Sequence, residues 1–104
     1  MILRTEQSAG EVRWHGCDLL TRAITESGSQ VQSVAWSVYS GDAVISSTQD
    51  TPSFHPTQTA ALISTPTTMQ SIIQINVVLE NGERLNEHLM LTPGEFDAEG
   101  GLFN

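Results

Sequence analysis

The chain predicts an all-β domain, a sandwich or a barrel, on three observations. Apolar and polar residues alternate over several short runs, the signature of half-buried strands. Gly or Pro breaks these runs about every ten to fifteen residues, as several short strands of one sheet system require. The breakers are Gly10, Gly16, Gly28, Gly41, Pro52, Pro56, Pro66, Gly82 and Pro93. Third, Asn81-Gly82 stands between two alternating runs, and Asn-Gly is the strongest short-range hairpin signal.

Taken in chain order, residues 1–10 read as an N-terminal arm. Residues 11–27 allow two readings. Asp18 to Ile24 has the form of a helical turn or two capped by Asp18. The alternative is an irregular first strand whose apolar residues reach the core, and a β-rich chain favours it. Val31 to Tyr39 is a strong strand, with Val34, Trp36 and Val38 facing the core and Ser33, Ala35 and Ser37 facing away. Ser40-Gly41-Asp42 is a turn, and Ala43 to Ser47 the next short strand. Thr59 to Ser64 is another, between Pro56 and Pro66.

Ile72 to Leu79 alternates most cleanly and puts Ile73, Ile75, Val77 and Leu79 in the core. The turn Glu80-Asn81-Gly82-Glu83 returns the chain as Arg84 to Leu91. Leu85, Leu89 and Leu91 share its core face, with Glu87 the exception, and Pro93 ends it. The domain therefore spans 11–92. Residues 93–104 read as an acidic, Gly-containing C-terminal arm. That arm carries Phe96, Leu102 and Phe103, large apolar groups that solvent alone does not call for.

Composition narrows the function. The 104 residues, 11.3 kDa, hold 12 acids against 4 Arg and no Lys, a net charge of −8. Such a chain is repelled by phosphate backbones and by anionic membranes, so neither nucleic acid nor membrane is an expected partner. Cys17 alone forms no internal disulfide and is expected as a free thiol. The N-terminus lacks the long apolar run of a signal peptide, which implies a cytosol-like space. Eleven Ser and eleven Thr give a polar but mostly uncharged surface, which costs less to desolvate on contact than a charged one.

No catalytic or ligand-binding constellation emerges, so no enzyme and no cofactor is expected. His15 and Cys17 would face the same way on a strand and could begin a soft-metal site or a Cys-His pair. A tetrahedral zinc site needs four such ligands, and His55 and His88 have no Cys beside them. The sequence also lacks a Gly-x-Ser-x-Gly elbow. Asp42, Asp50 and the tail acids Glu95, Asp97 and Glu99 do not form a calcium loop with its terminal Glu. A buried small thiol, a surface imidazole and a solvated acidic face are the expected readings, with no metal. Trp36 is expected at the centre of the core. For Trp14, core and interface are equally open, since Trp is enriched at interface hot spots.

The chain resembles the phage fibre-tail adaptor proteins, a small immunoglobulin-like family of tailed bacteriophages. The similarity runs from about residue 11 to residue 91. Its matching positions are Asp18-Leu19-Leu20, then Ser33-Val34-Ala35-Trp36-Ser37-Val38 through Gly41, then Thr59-Ala60-Ala61-Leu62-Ile63-Ser64. Ile73-Gln74-Ile75-Asn76-Val77 and Asn81-Gly82-Glu83-Arg84 before Leu89-Met90-Leu91 complete it. Thr65-Pro66-Thr67-Thr68 stands where the family commonly has a Gly-rich turn, and the acidic tail is an addition. The resemblance implies an all-β, immunoglobulin-like antiparallel β-sandwich of about seven strands with extended arms. It also implies a non-enzymatic virion protein, a tail or neck adaptor joining tail components or fibres to the particle. The expected partners are other virion proteins (tail, portal-proximal or fibre proteins) and further copies in a symmetric assembly. The anchors expected on them are Ile2, Leu3, Trp14, Phe96, Leu102 and Phe103. An immunoglobulin-like capsid decoration or host-surface binding module is the alternative.

The acids are unevenly placed. From Val31 to Ile63 only Asp42 and Asp50 occur, whereas the hairpin, the arm region and the tail hold most of the rest. Partners at those places are expected to present Lys and Arg.

Overall fold

A computed structural model describes residues 2–19, 25–65 and 69–93 of the chain. These residues form seven strands: β1 (Ile2–Gln7), β2 (Val12–Asp18), β3 (Val31–Ser40), β4 (Val44–Gln49), β5 (Gln58–Ser64), β6 (Ser71–Leu79) and β7 (Arg84–Pro93). They make a four-stranded sheet in the order β1-β7-β6-β3 and a three-stranded sheet in the order β2-β5-β4. The two pack face to face as a sandwich. All neighbours are antiparallel except β1 and β7, which run parallel.

The inner faces follow the period of two. Along β6 the buried and half-buried classes alternate without a break, and Ile73, Ile75, Val77 and Leu79 are each at most 1% exposed. Each such side chain contributes about 1.5–3 kcal/mol by leaving water. Ile63 and Ala61 of β5 meet Ile73 from the other sheet. The core has two clusters, one around Leu19, Val31, Val34, Ile75, Val77 and Leu79 and one around Ala61, Ile63, Ile73, Leu89 and Leu91. Trp36 packs against both. Its indole N–H donates to Thr59 Oγ1 at 2.8 Å, and that hydroxyl donates onward to the Gln49 carbonyl at 2.8 Å. One side chain thus joins the two halves of the core and ties β3 to the opposite sheet.

The favoured strand reading holds where residues 11–27 are described as β2, and other expectations change. Residues 12–18 are a strand, and Leu19 beyond them is 1% exposed in the core. Residues 20–24, where the helical alternative fell, lie outside the described residues. The expected arm of residues 1–10 contains β1, an edge strand in register with β7 from Ile2↔His88 to Gln7↔Pro93. Val38, expected in the core, is 37% exposed, because it lies near the end of an edge strand beside a register shift. Glu87, the exception on its face, is nevertheless only 2% exposed, since it lies opposite Ile75 in the middle of the sheet.

The 80–83 hairpin is also built differently from the simplest Asn-Gly turn. Only Gly82 takes a positive φ, +97°, and no non-glycine residue does. Leu79 N–H donates to the Glu83 carbonyl at 2.8 Å, and Gly82 N–H to the Leu79 carbonyl at 3.0 Å, leaving a three-residue loop that ends on a left-handed glycine. Asn81 stays at negative φ and works through its side chain, whose Oδ1 accepts from Glu83 N–H at 2.9 Å. Gly41 is constrained more tightly. Its φ is +94°, and a Cβ there would lie 2.6 Å from the Gln70 carbonyl oxygen and 2.6 Å from Ser71 Cα.

Replacing Ile75 by Ala should cost about 2–5 kcal/mol of folding free energy, the usual range for emptying a closed core site. Val38→Ala should cost under about 1 kcal/mol, because its side chain already meets water. Urea titrations of both variants against the parent measure the contrast. Equal losses would mean that the edge of β3 is sealed in solution.

Candidate functional site

The chain crosses from one sheet to the other between β1 and β2, and this crossing is held by polar groups. Gln7 is 2% exposed. Its Nε2 donates to the carbonyls of Glu11 and Ile63, each at 2.9 Å. With both amide protons so used, its Oε1 is an acceptor, and the imidazole Nε2 of His15 is hydrogen-bonded to it. His15 therefore carries its proton on Nε2. Around this centre Gly10 N–H donates to the Thr65 carbonyl at 2.7 Å, and Thr65 Oγ1 to the Ser8 carbonyl at 2.9 Å. The crossing is a structural clasp between β1, β2 and β5, and it half-buries the imidazole of His15, which was expected at the surface. Burial, assisted by the charge of Arg13, lowers the pKa of His15 from 6.5.

Cys17 lies two residues along the same inner face. Burial, and then the carboxylates of Glu87 and Asp18, push its thiol up to about 11. At neutral pH it is a protonated, poorly nucleophilic thiol. With Gly16, Asp18, Phe54, Thr59 and Ala60 it lines a shallow depression of about 370 Å³ at the far end of β2. Among the described residues, His, Cys, Asp and Glu do not gather into any group of three or more that could hold a metal ion. The depression therefore brings together an inert thiol, an exposed Phe ring and the polar residues Asp18, Gln58 and Thr59, without a metal-binding cluster among the described residues.

The expected contact residues fall in different places. Trp14 is 49% exposed on the outer face of the three-stranded sheet, which settles its open choice against the core. Its Cα partner is Leu62. Ile2 and Leu3 belong to β1, opposite His88 and Leu89. Phe96, Leu102 and Phe103 lie outside the described residues.

Sequence reasoning missed the company that Trp14 keeps. The register puts Val12, Ser64 and Val44 in one outward row and Trp14, Leu62 and Ser47 in the next. Val12 is 56% and Val44 51% exposed. The signal was present as Val12-x-Trp14, but only pairing with β5 and β4 shows that Leu62 and Val44 complete a patch. The outer face of the other sheet differs. There Ser37, Gln74 and His88 form one row and Ala35, Asn76 and Asn86 another, with Tyr39 edge-on to His88 at 6.1 Å between ring centroids.

In comparisons with known proteins, no family model matches this chain, and neither a curated protein nor a solved structure matches it significantly.

Two outcomes follow from the electrostatics. His15 binds its proton less readily folded than unfolded. Its contribution to stability is therefore complete above about pH 6.5 and is lost as pH falls below that value toward the lowered folded pKa. The pH–stability curve of the parent minus that of His15→Gln should decline from pH 7 to pH 5; a flat difference would show that the imidazole titrates as freely folded as unfolded. Cys17 should react with a disulfide reagent at pH 8 roughly a hundredfold more slowly than in the urea-unfolded chain, in proportion to its thiolate fraction. Equal rates would show an open, unperturbed thiol.

Proposed function

We propose that the chain is a non-enzymatic structural protein of a tailed-bacteriophage virion, an adaptor in the tail or neck region that joins tail components or fibres to the particle. Its action is assembly: copies are placed symmetrically and hold neighbouring virion proteins through strand edges, faces and termini. The observation that carries this reading is the strand order, taken with the motif positions of the fibre-tail adaptor resemblance. Numbered in sequence, β2-β5-β4 and β3-β6-β7 are the two adjacency sets of an immunoglobulin-like sandwich, B-E-D and C-F-G. Trp36 lies on the third strand against the core of both sheets, where such sandwiches carry their central Trp. The first strand departs from the constant-type arrangement by pairing with the seventh.

The chemistry of the surface supports a binding rather than a catalytic role. The most nucleophilic side-chain type present is held protonated, and the His nearest to it is engaged by a buried amide. Among the described residues β1, β2, β3 and β4 are the edge strands, and edge strands offer backbone donors and acceptors to a neighbouring strand. In this reading the protein acts in the virion after assembly in the host cytoplasm.

A chain ending at Pro93 tests the role of the C-terminal segment with Phe96, Leu102 and Phe103. The shortened protein should fold with unchanged thermal stability, yet fail to enter particles in a complementation assay. Normal incorporation would remove those residues as anchors. Absence of the full-length protein from purified particles would remove the virion reading itself.

A further inference from the structure

The outer face of β2-β5-β4 is apolar where a solvated sandwich sheet is ordinarily polar. Trp14, Val12 and Val44 are each about half exposed, and Leu62 joins them at the centre. Between them lie Ser64 and Ser47, which are uncharged. Acids flank the face at its four corners; Glu11 Oε1 there accepts from Ser8 N–H at 2.8 Å, and Asp42 and Asp50 are half-buried with one oxygen each turned from water. Glu11 precedes Val12 and Asp42 lies just before Val44 at one end, while Asp18 closes β2 and Asp50 follows β4 at the other. Arg13 is the nearest described cation, on β2 between Val12 and Trp14 in sequence.

We infer that this face is a docking surface for a protein with an apolar centre and a rim of Lys and Arg. An apolar middle with a polar margin is the ordinary anatomy of an interface, and Trp is the commonest residue at its energetic centre. Here the margin is acidic, so the complementary partner is basic at its rim. A second copy of this chain, at net charge −8, would set acids toward acids. Three strands about 4.8 Å apart and six or seven residues long give the whole face a footprint on the order of 300 Å², of which the apolar side chains occupy two cross-strand rows. The footprint is less than half of a standard interface per partner, roughly 800 Å², so the charged corners must engage for the contact to be stable. The inference names the partner chemistry for the assembly role proposed above and rests on that reading for the partner being a protein.

The test titrates the isotope-labelled full chain with two designed hairpin peptides. Both carry the same Trp, Val and Leu centre, one flanked by Lys and the other by Glu. The Lys-flanked peptide should shift the amides of Val12, Trp14, Val44 and Leu62 and bind at least tenfold more tightly than its acidic twin. Trp14→Ser should weaken it at least tenfold, as should Val44→Ser to a lesser degree. Both variants alter exposed side chains, and unchanged amide spectra elsewhere verify their fold. Raising salt from 50 to 300 mM should weaken binding, because the corner charges are screened.

Shifts confined to the Glu80–Glu83 turn, equal affinity for the two peptides, or binding unaffected by Trp14→Ser would each overturn the inference. So would self-association of the peptide-free chain through the same amides, which would assign the face to a second copy. Binding that appears only when the chain is ended at Pro93 would assign it to the chain's own C-terminal segment, with the same result. None of these outcomes touches the virion reading, which the particle experiment decides separately.

Discussion

The structure depends on one requirement: two sheets must exclude water between their inner faces with little besides aliphatic side chains. The single cysteine has no disulfide partner, so no covalent staple helps. The burden falls on β6, which is flanked by β3 and β7 and faces the other sheet. Every second residue of it is sealed. A slip of one residue in its pairing would send Ile73, Ile75, Val77 and Leu79 to the outside, so the register of the whole four-stranded sheet is strongly specified. Trp36 makes the two apolar clusters continuous.

Polar groups decide which strands meet at the margins of that core. Gln7 satisfies two carbonyls and the imidazole of His15 at once, and so closes the side of the sandwich where β1 leaves one sheet and β2 begins the other. Thr59 serves the same purpose across the middle, between Trp36 and β4. Thr51 bonds the Gln58 carbonyl at 2.7 Å and pins the long β4–β5 loop. A buried group that lost such a partner would cost about 1–3 kcal/mol, so these bonds favour one arrangement over near alternatives more than they add to stability. The same bonds remove His15 from chemistry, as burial removes Cys17. What the described residues offer beside the core is surface: four edge strands, a mostly polar outer face on one sheet and an outer face with an apolar middle on the other.

Much of the fold was legible in the sequence because its signals are local. The alternation of Ile72–Leu79 and the turn residues around Gly82 each depend on a few neighbouring positions. The candidate surface was half legible. Trp14 stood out by residue type, but its neighbours Val44 and Leu62 are distant in sequence and meet it only through sheet pairing. Val38 was misread for the same reason. Strand period assigns a residue to a face but does not say whether that face is covered at that point. Gln7 carried no signal, since a single Gln at the end of a strand has no periodicity.

By itself, then, the sequence determined that this chain is a β-domain with short strands, a core built on alternate aliphatic residues, and charge concentrated in turns and ends. Those properties follow from steric period, turn chemistry and composition, which act over a few residues. Tertiary structure decided the rest. It turned the N-terminal segment into an edge strand parallel to β7, made Glu87 a core residue, spent His15 on a clasp, and gathered Val12, Trp14, Val44 and Leu62 into one face. The reason is physical: burial and partnership belong to pairs of strands that are distant along the chain, and their free energy exists only once the sheets have met.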